Sequence, residues 1–226
     1  HLCLTSGTPV SDKMKRCVRW FGGRFPRKEL MSGALLTRAV TVADVRDEWR
    51  QQIETCLEYD LDPVFLNSHE HLHMWPSLFS LIHELARDYG IRHVRFPRGE
   101  ASEELAVGTV ARNLVLNGLG RVNGGQSGAG AIPCLGFGES GNLSFAYLQR
   151  LVGKLERGAS YELMCHPGYF EPTEVEDRRL QRYHNWEGEL SVLTSDATAD
   201  LFAGHGVRPI GYRDLPTFSD ADRLVQ

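Results

Sequence analysis

Two amphipathic stretches, each followed by a short apolar segment, restrict this chain to a parallel α/β arrangement more firmly than any single motif does. Over 41–59, Val42, Val45, Trp49, Ile53, Cys56 and Leu57 recur at three- and four-residue steps, the pattern of a helix with one apolar face. The β-leaning run Leu61-Asp62-Pro63-Val64-Phe65-Leu66 follows. A second helix is predicted over 76–89, opened by Pro76, stopped by Gly90, with Leu78, Phe79, Ile82 and Leu85 on one side. Ile91-Arg92-His93-Val94-Arg95-Phe96 then reads as a strand ended by Pro97. Helix, strand, helix, strand is the rhythm of parallel βα units.

The rest of the chain extends that rhythm. Leu2-Cys3-Leu4-Thr5 reads as an opening strand, followed by a Gly/Arg/Lys-rich connection over 6–32. Residues 118–141 hold Gly120, Gly124, Gly125, Gly128, Gly130, Gly136 and Gly138, a composition expected of a long loop or lid. Ser144 is placed to cap a helix carrying Tyr147, Leu148, Leu151 and Leu155, closed by Gly158. A strand at 161–165, a helix over 187–203 and a last strand at 210–213 complete the expectation. At 226 residues, one domain accommodates all of it.

Three of the nine histidines fall in one short segment, Asn67-Ser68-His69-Glu70-His71-Leu72-His73-Met74-Trp75-Pro76. On an extended strand His69, His71 and His73 would point the same way; on a helix only His69 and His73 would share a face. The apolar run before and Pro76 after favour a strand end leading into a helix, the place where α/β folds collect ligands and metals. His166 has the same setting, at the end of a strand and stiffened by Pro167-Gly168, and His1 heads the opening strand. Three strand ends delivering imidazoles to one rim suit a single divalent ion with a position left for water. The same residues also fit the helical HExxH pattern formally, and each histidine taken alone fits a structural role. Glu48, Arg50 and Gln51 read as a solvated helix face. Arg95 reads as a rim ion pair, and Trp75 and Tyr169 as packing groups or sugar-stacking rings.

Composition excludes several classes of partner. A net charge of −4 and a pI near 6.2 give no electrostatic case for nucleic acid or an anionic membrane. Cys3, Cys17, Cys56, Cys134 and Cys165 are odd in number, scattered and never in CxxC form, which speaks against a disulfide framework or a cysteine–zinc site. With no run of transmembrane length and no signal-peptide pattern, a cytoplasmic location is expected.

Several ordered motifs resemble one family. His1-Leu2-Cys3-Leu4-Thr5-Ser6-Gly7-Thr8-Pro9-Val10 is similar to HLxLTxGxPV. Residues 68–76 are similar to SHxHxHxxP, and Glu162-Leu163-Met164-Cys165-His166-Pro167-Gly168 to ELMCHPG. Leu193-Thr194-Ser195 and Tyr212-Arg213-Asp214-Leu215 match LTS and YRDL. Together they resemble the YdjC-like carbohydrate deacetylases, which include chitooligosaccharide deacetylases and a hopanoid-cluster branch. The resemblance implies a distorted (β/α) barrel in a single domain that removes acetyl groups from N-acetylated sugars with one divalent metal ion, magnesium or zinc. It implies His1 and His69 as metal ligands and His166 as the catalytic general acid, with His71 and His73 in supporting places. Asn67 stands where many relatives carry Asp. The family's Asp-Asp pair, which supplies a ligand and the base, has no match in these residues and is expected upstream of His1; without it the chain as given is expected to bind metal weakly, to lack its base and to be inactive. An open barrel edge there would favour a homo-oligomer or poorer folding. Another barrel-type metal amidohydrolase, or a non-catalytic carbohydrate-binding relative, are the alternative readings.

Overall fold

A computed structural model describes residues 1–97, 107–123, 132–173, 175 and 178–215. Contacts divide the chain into two compact units, His1–Pro97 with Leu116–Ala131, and Arg98–Val115 with Ile132–Gln226.

The first unit begins with Leu2, which forms an isolated parallel bridge to Ser68 in place of the expected opening strand. The connection after it folds into helices α1 (Asp12–Cys17) and α2 (Lys28–Leu36). Helix α3 (Val42–Glu58) starts at a capping box, in which Thr41 Oγ1 accepts the Asp44 N–H and Asp44 accepts the Thr41 N–H. Strand β1 (Phe65–Leu66) leads through a 3₁₀ segment, His69–Met74, into helix α4 (Pro76–Asp88). Gly90, at φ 68°, lets the Ile91 N–H turn back onto the Ala86 carbonyl at 2.7 Å and closes that helix. The next strand is split into β2 (His93–Val94) and β3 (Phe96–Pro97). β1 and β2 pair in parallel, Phe65 opposite His93 and Leu66 opposite Val94. The apolar faces of α3 and α4 supply a large share of this unit's core, with Val45, Trp49, Ile53, Leu78, Ile82 and Leu85 in one cluster with Leu2 and Leu4.

Helix α5 (Val107–Asn123) contradicts part of the loop expected over 118–141: residues up to 123 are helical, 124–131 lie outside the described residues, and β4 (Pro133–Leu135) follows. In the second unit β4 pairs in parallel with β5 (Glu162–Leu163), Cys134 opposite Glu162. Gly136, at φ 96°, lies so close to Met164 that a Cβ there would meet its carbonyl oxygen at 2.5 Å. Helix α6 (Phe145–Val152) is capped by Ser144 as expected but ends at Gly153, before Gly158. After the short α7 (Arg178–Tyr183), the helix predicted over 187–203 is broken in two, α8 (Trp186–Leu193) and α9 (Asp196–Gly204). Ser195 causes the break by accepting the Thr198 N–H and opening a new helix. The strand expected at 210–213 is absent; Tyr212–Asp214 forms a 3₁₀ turn.

The fold class is thus mixed α/β with parallel pairing. The barrel is not seen: among the described residues the ladders are two or three residues long and stay open. The solvated face assigned to Glu48 is also corrected. Glu48 is fully buried because its carboxylate accepts the Val10 and Ser11 N–H groups and the Gln52 side-chain amide, at 2.9, 2.8 and 2.8 Å.

Candidate active site

The two histidines expected to hold metal are brought together by backbone pairing. The Leu2 N–H donates to the Asn67 carbonyl at 2.8 Å, and the His69 N–H donates to the Leu2 carbonyl at 2.9 Å. Leu2 and Ser68 are bridge partners, so their side chains lie on one face, and both are buried. Strand alternation then puts His1, Asn67 and His69 together on the opposite face. His1 is exposed and His69 half-buried, whereas Asn67 is fully buried.

His71 and His73 do not join them. The extended reading of the cluster fails after Ser68, because Glu70 (φ 53°) and His71 (φ 56°) are both left-handed and turn the chain into the 3₁₀ segment. A non-glycine residue in that region costs about 1–2 kcal/mol, which neighbouring contacts must offset. His73 provides them. Its Nε2 lies 2.9 Å from the Arg95 carbonyl, which can only accept, so Nε2 carries the proton and Nδ1 accepts the Ser68 N–H at 3.2 Å. Ser68 Oγ in turn accepts the His73 N–H at 2.8 Å. Complete burial pushes the His73 imidazole down to about 4, so it is neutral at physiological pH. His73 is therefore a bracket that fixes Ser68 on one face, while His1, Asn67 and His69 are presented on the other. Arg95 contributes its carbonyl to that bracket and lays its guanidinium over the Phe65 ring, 5.9 Å from the centroid. Trp75 packs against the core.

Whether these residues suit a divalent ion can be judged from their chemistry. Two imidazoles on one face are good donors for zinc and its neighbours. Between them in sequence sits Asn67, whose Oδ1 and Nδ2 are both buried without a hydrogen-bond partner. Such an orphaned amide costs about 1–3 kcal/mol, an arrangement that suits a site completed by something bound. Among the described residues no group of three or more His, Cys, Asp and Glu side chains is gathered to hold a metal ion, so the candidate here is a pair of imidazoles with an amide. The pair with its amide fits an ion.

His166 belongs to the second unit, just beyond β5. Its N–H donates to the Glu189 carboxylate, which is buried and also accepts the Leu143 N–H at 3.1 Å. The His166 ring meets His184 edge to face at 4.6 Å, and His184 stacks on Trp186 at 5.3 Å. Burial holds the His184 imidazole below its ordinary range, opposed by the Glu189 carboxylate. Trp186 stacks on Phe170 at 5.2 Å, and Tyr169 beside it is 86% exposed, available to a ligand ring. Glu189 and His184 escaped the sequence reading because a lone glutamate inside a helix and a histidine between Tyr183 and Asn185 carry no distinguishing spacing.

Comparison with known proteins agrees with this arrangement of motifs. The family model described as YdjC-like protein matches residues 1–204. A carbohydrate deacetylase of Clostridium beijerinckii is 24% identical over 95% of this chain and 76% of its own length. A chitooligosaccharide deacetylase of Serratia marcescens is 26% identical, again over 95% of this chain and 76% of that protein. Among solved structures, an Enterococcus faecalis protein assigned to cellobiose-phosphate cleavage shares the fold with a TM-score of 0.66 and 21% identity, covering 96% of this chain and 77% of that one.

Proposed function

The chain belongs to the YdjC-like family, and from that premise we propose that it hydrolyses the acetamide of an N-acetylated sugar or oligosaccharide with one divalent ion, magnesium or zinc. The enzyme class comes with the relatives: a carbohydrate deacetylase, a hydrolase of C–N amide bonds. The observation that carries the site is the parallel bridge from Leu2 to Ser68, which unites the first and second motifs and sets His1 and His69 on one face. The distorted barrel remains part of this reading, since parallel pairs with intervening helices are its building unit.

His1 and His69 would hold the ion. A divalent ion so held polarises a carbonyl oxygen and lowers the pKa of bound water toward neutrality. The water's proton goes to the Asp base that the family resemblance implies, which is not among the residues of these motifs, and the other roles fall to the chain's own groups. His166 protonates the departing amine, the general-acid role that the family resemblance gives it. Glu189 fixes the backbone from which that ring projects, and His184 confines its plane. His73 acts only through Ser68, by keeping the strand end in register. The partner is a sugar; no helix among the described residues is long and apolar enough to cross a membrane.

Acetate release from N-acetylglucosamine oligosaccharides tests the reading, with the metal-supplemented protein compared against His69→Ala and His166→Ala. Release by the parent and a loss of at least about hundredfold in both variants are expected. Sugar binding without acetate release would identify a non-catalytic relative. Equal turnover of simple non-sugar amides would favour a general amidohydrolase.

A further inference from the structure

We infer that Asn67 is a donor to the divalent ion, its Oδ1 adding to the imidazoles of His1 and His69. The inference rests on those two histidines being ligands and adds to them a residue that the HxH and HLxLT motifs do not single out.

Three observations converge on Asn67. It lies on the same strand face as His1 and His69, fixed there by the hydrogen bonds on either side of Leu2. It is completely buried, although its neighbour across the ladder, His1, is exposed. Both polar atoms of its side chain lack any hydrogen bond. An asparagine serving only to pack would be replaced at a gain by an apolar residue of the same shape, because burying an amide without partners is unfavourable. The nearby polar groups do not rescue it: Ser68 and His73 satisfy each other on the opposite face. An amide oxygen on the same strand face as two imidazoles is what a bound cation would use.

The donor set also speaks to the ion. Two nitrogens and one neutral oxygen suit a borderline ion of zinc's class, whereas magnesium is held chiefly by oxygen ligands and keeps several waters. A carboxylate at this position would bind more tightly than an amide by adding charge.

Calorimetric titration of the chelator-stripped protein with zinc alone tests this, using the parent chain, Asn67→Ala, Asn67→Asp and His69→Ala. Melting of each protein with and without zinc is recorded beside it. Expected are a saturable site in the parent, its loss in His69→Ala, and weakening by at least roughly tenfold in Asn67→Ala, since even outer partners of ligands change affinity by that much. Asn67→Asp should bind more tightly than the parent, because the carboxylate brings a charge to the ion. Asn67→Ala should melt no lower than the parent without zinc, yet gain less from zinc. Parent-like affinity in both Asn67 variants, with binding still lost in His69→Ala, would overturn the donor role and leave the histidine pair standing. Equal titrations of the parent and His69→Ala would overturn the pair itself, and the role of Asn67 with it.

Discussion

Removing the His73 imidazole should flatten the acid limb of this protein's stability curve by an amount the structure fixes. His73 is neutral in the fold with a pKa of about 4, against an ordinary value of 6.5. Its depression means that the unfolded chain takes up a proton below pH 6.5 that the folded chain refuses. The stability His73 contributes is therefore complete above its unfolded pKa and is lost as pH falls toward its folded one. At about pH 5 the loss approaches 1.5 pKa units, or about 2 kcal/mol at 1.36 kcal/mol per unit. His73→Gln carries no such proton. It leaves the Ser68 N–H and the Arg95 carbonyl poorly satisfied, so at about pH 7.5 it should be less stable than the parent by about 2–3 kcal/mol. Urea unfolding of both proteins at about pH 7.5 and about pH 5 measures the two gaps. The gap should narrow by about 2 kcal/mol on acidification, other titrating groups cancelling between the proteins. A gap constant to within about 0.5 kcal/mol would refute the buried neutral bracket.

Glu48→Gln should lower stability by about 3 kcal/mol in urea unfolding, because an amide replaces a carboxylate that receives three N–H donors and would turn its own N–H₂ toward one of them. Thr41→Ala, which removes half of the α3 capping box, should cost about 1 kcal/mol in the same assay. Glu189→Gln should reduce acetate release more than His184→Phe does, since only the glutamate holds the His166 backbone. Equal losses in kcat for the two would point to the ring contact instead.

Long periodic elements were the readable part of this chain. α3 and α4 fall within a residue or two of where their apolar spacing puts them, since each buries a full stripe and each has its cap or stop in the local sequence. The short strands were legible as positions but not as lengths: 61–66 shrinks to Phe65–Leu66, because ladder extent depends on partners remote in sequence. The break at Ser195 was missed although serine is a good cap, because the apolar pattern runs on across it. At the site, the family resemblance pointed to His1 and His69, and the pairing of Leu2 with Ser68 sets the two on one strand face. The turn at Glu70 and His71 could not be read, since a left-handed backbone is uncommon for any residue but glycine and the contacts that hold it, the bracket of Ser68 and His73 among them, form only in the fold. Glu48 looked solvated because its partners are backbone N–H groups more than thirty residues away, invisible to periodicity.

The Gln52 side chain offers both halves of a peptide unit to Cys3: its Oε1 accepts the Cys3 N–H at 2.8 Å and its Nε2 donates to the Cys3 carbonyl at 2.9 Å. A helix residue thus occupies the hydrogen-bonding position that a neighbouring strand would take. Any chain attempting to lengthen the ladder by adding itself at Cys3 must first displace that amide, and with it the bond Gln52 makes to buried Glu48. Replacing Gln52 with an aliphatic residue would uncover the edge, turning a closed margin into a template for self-association.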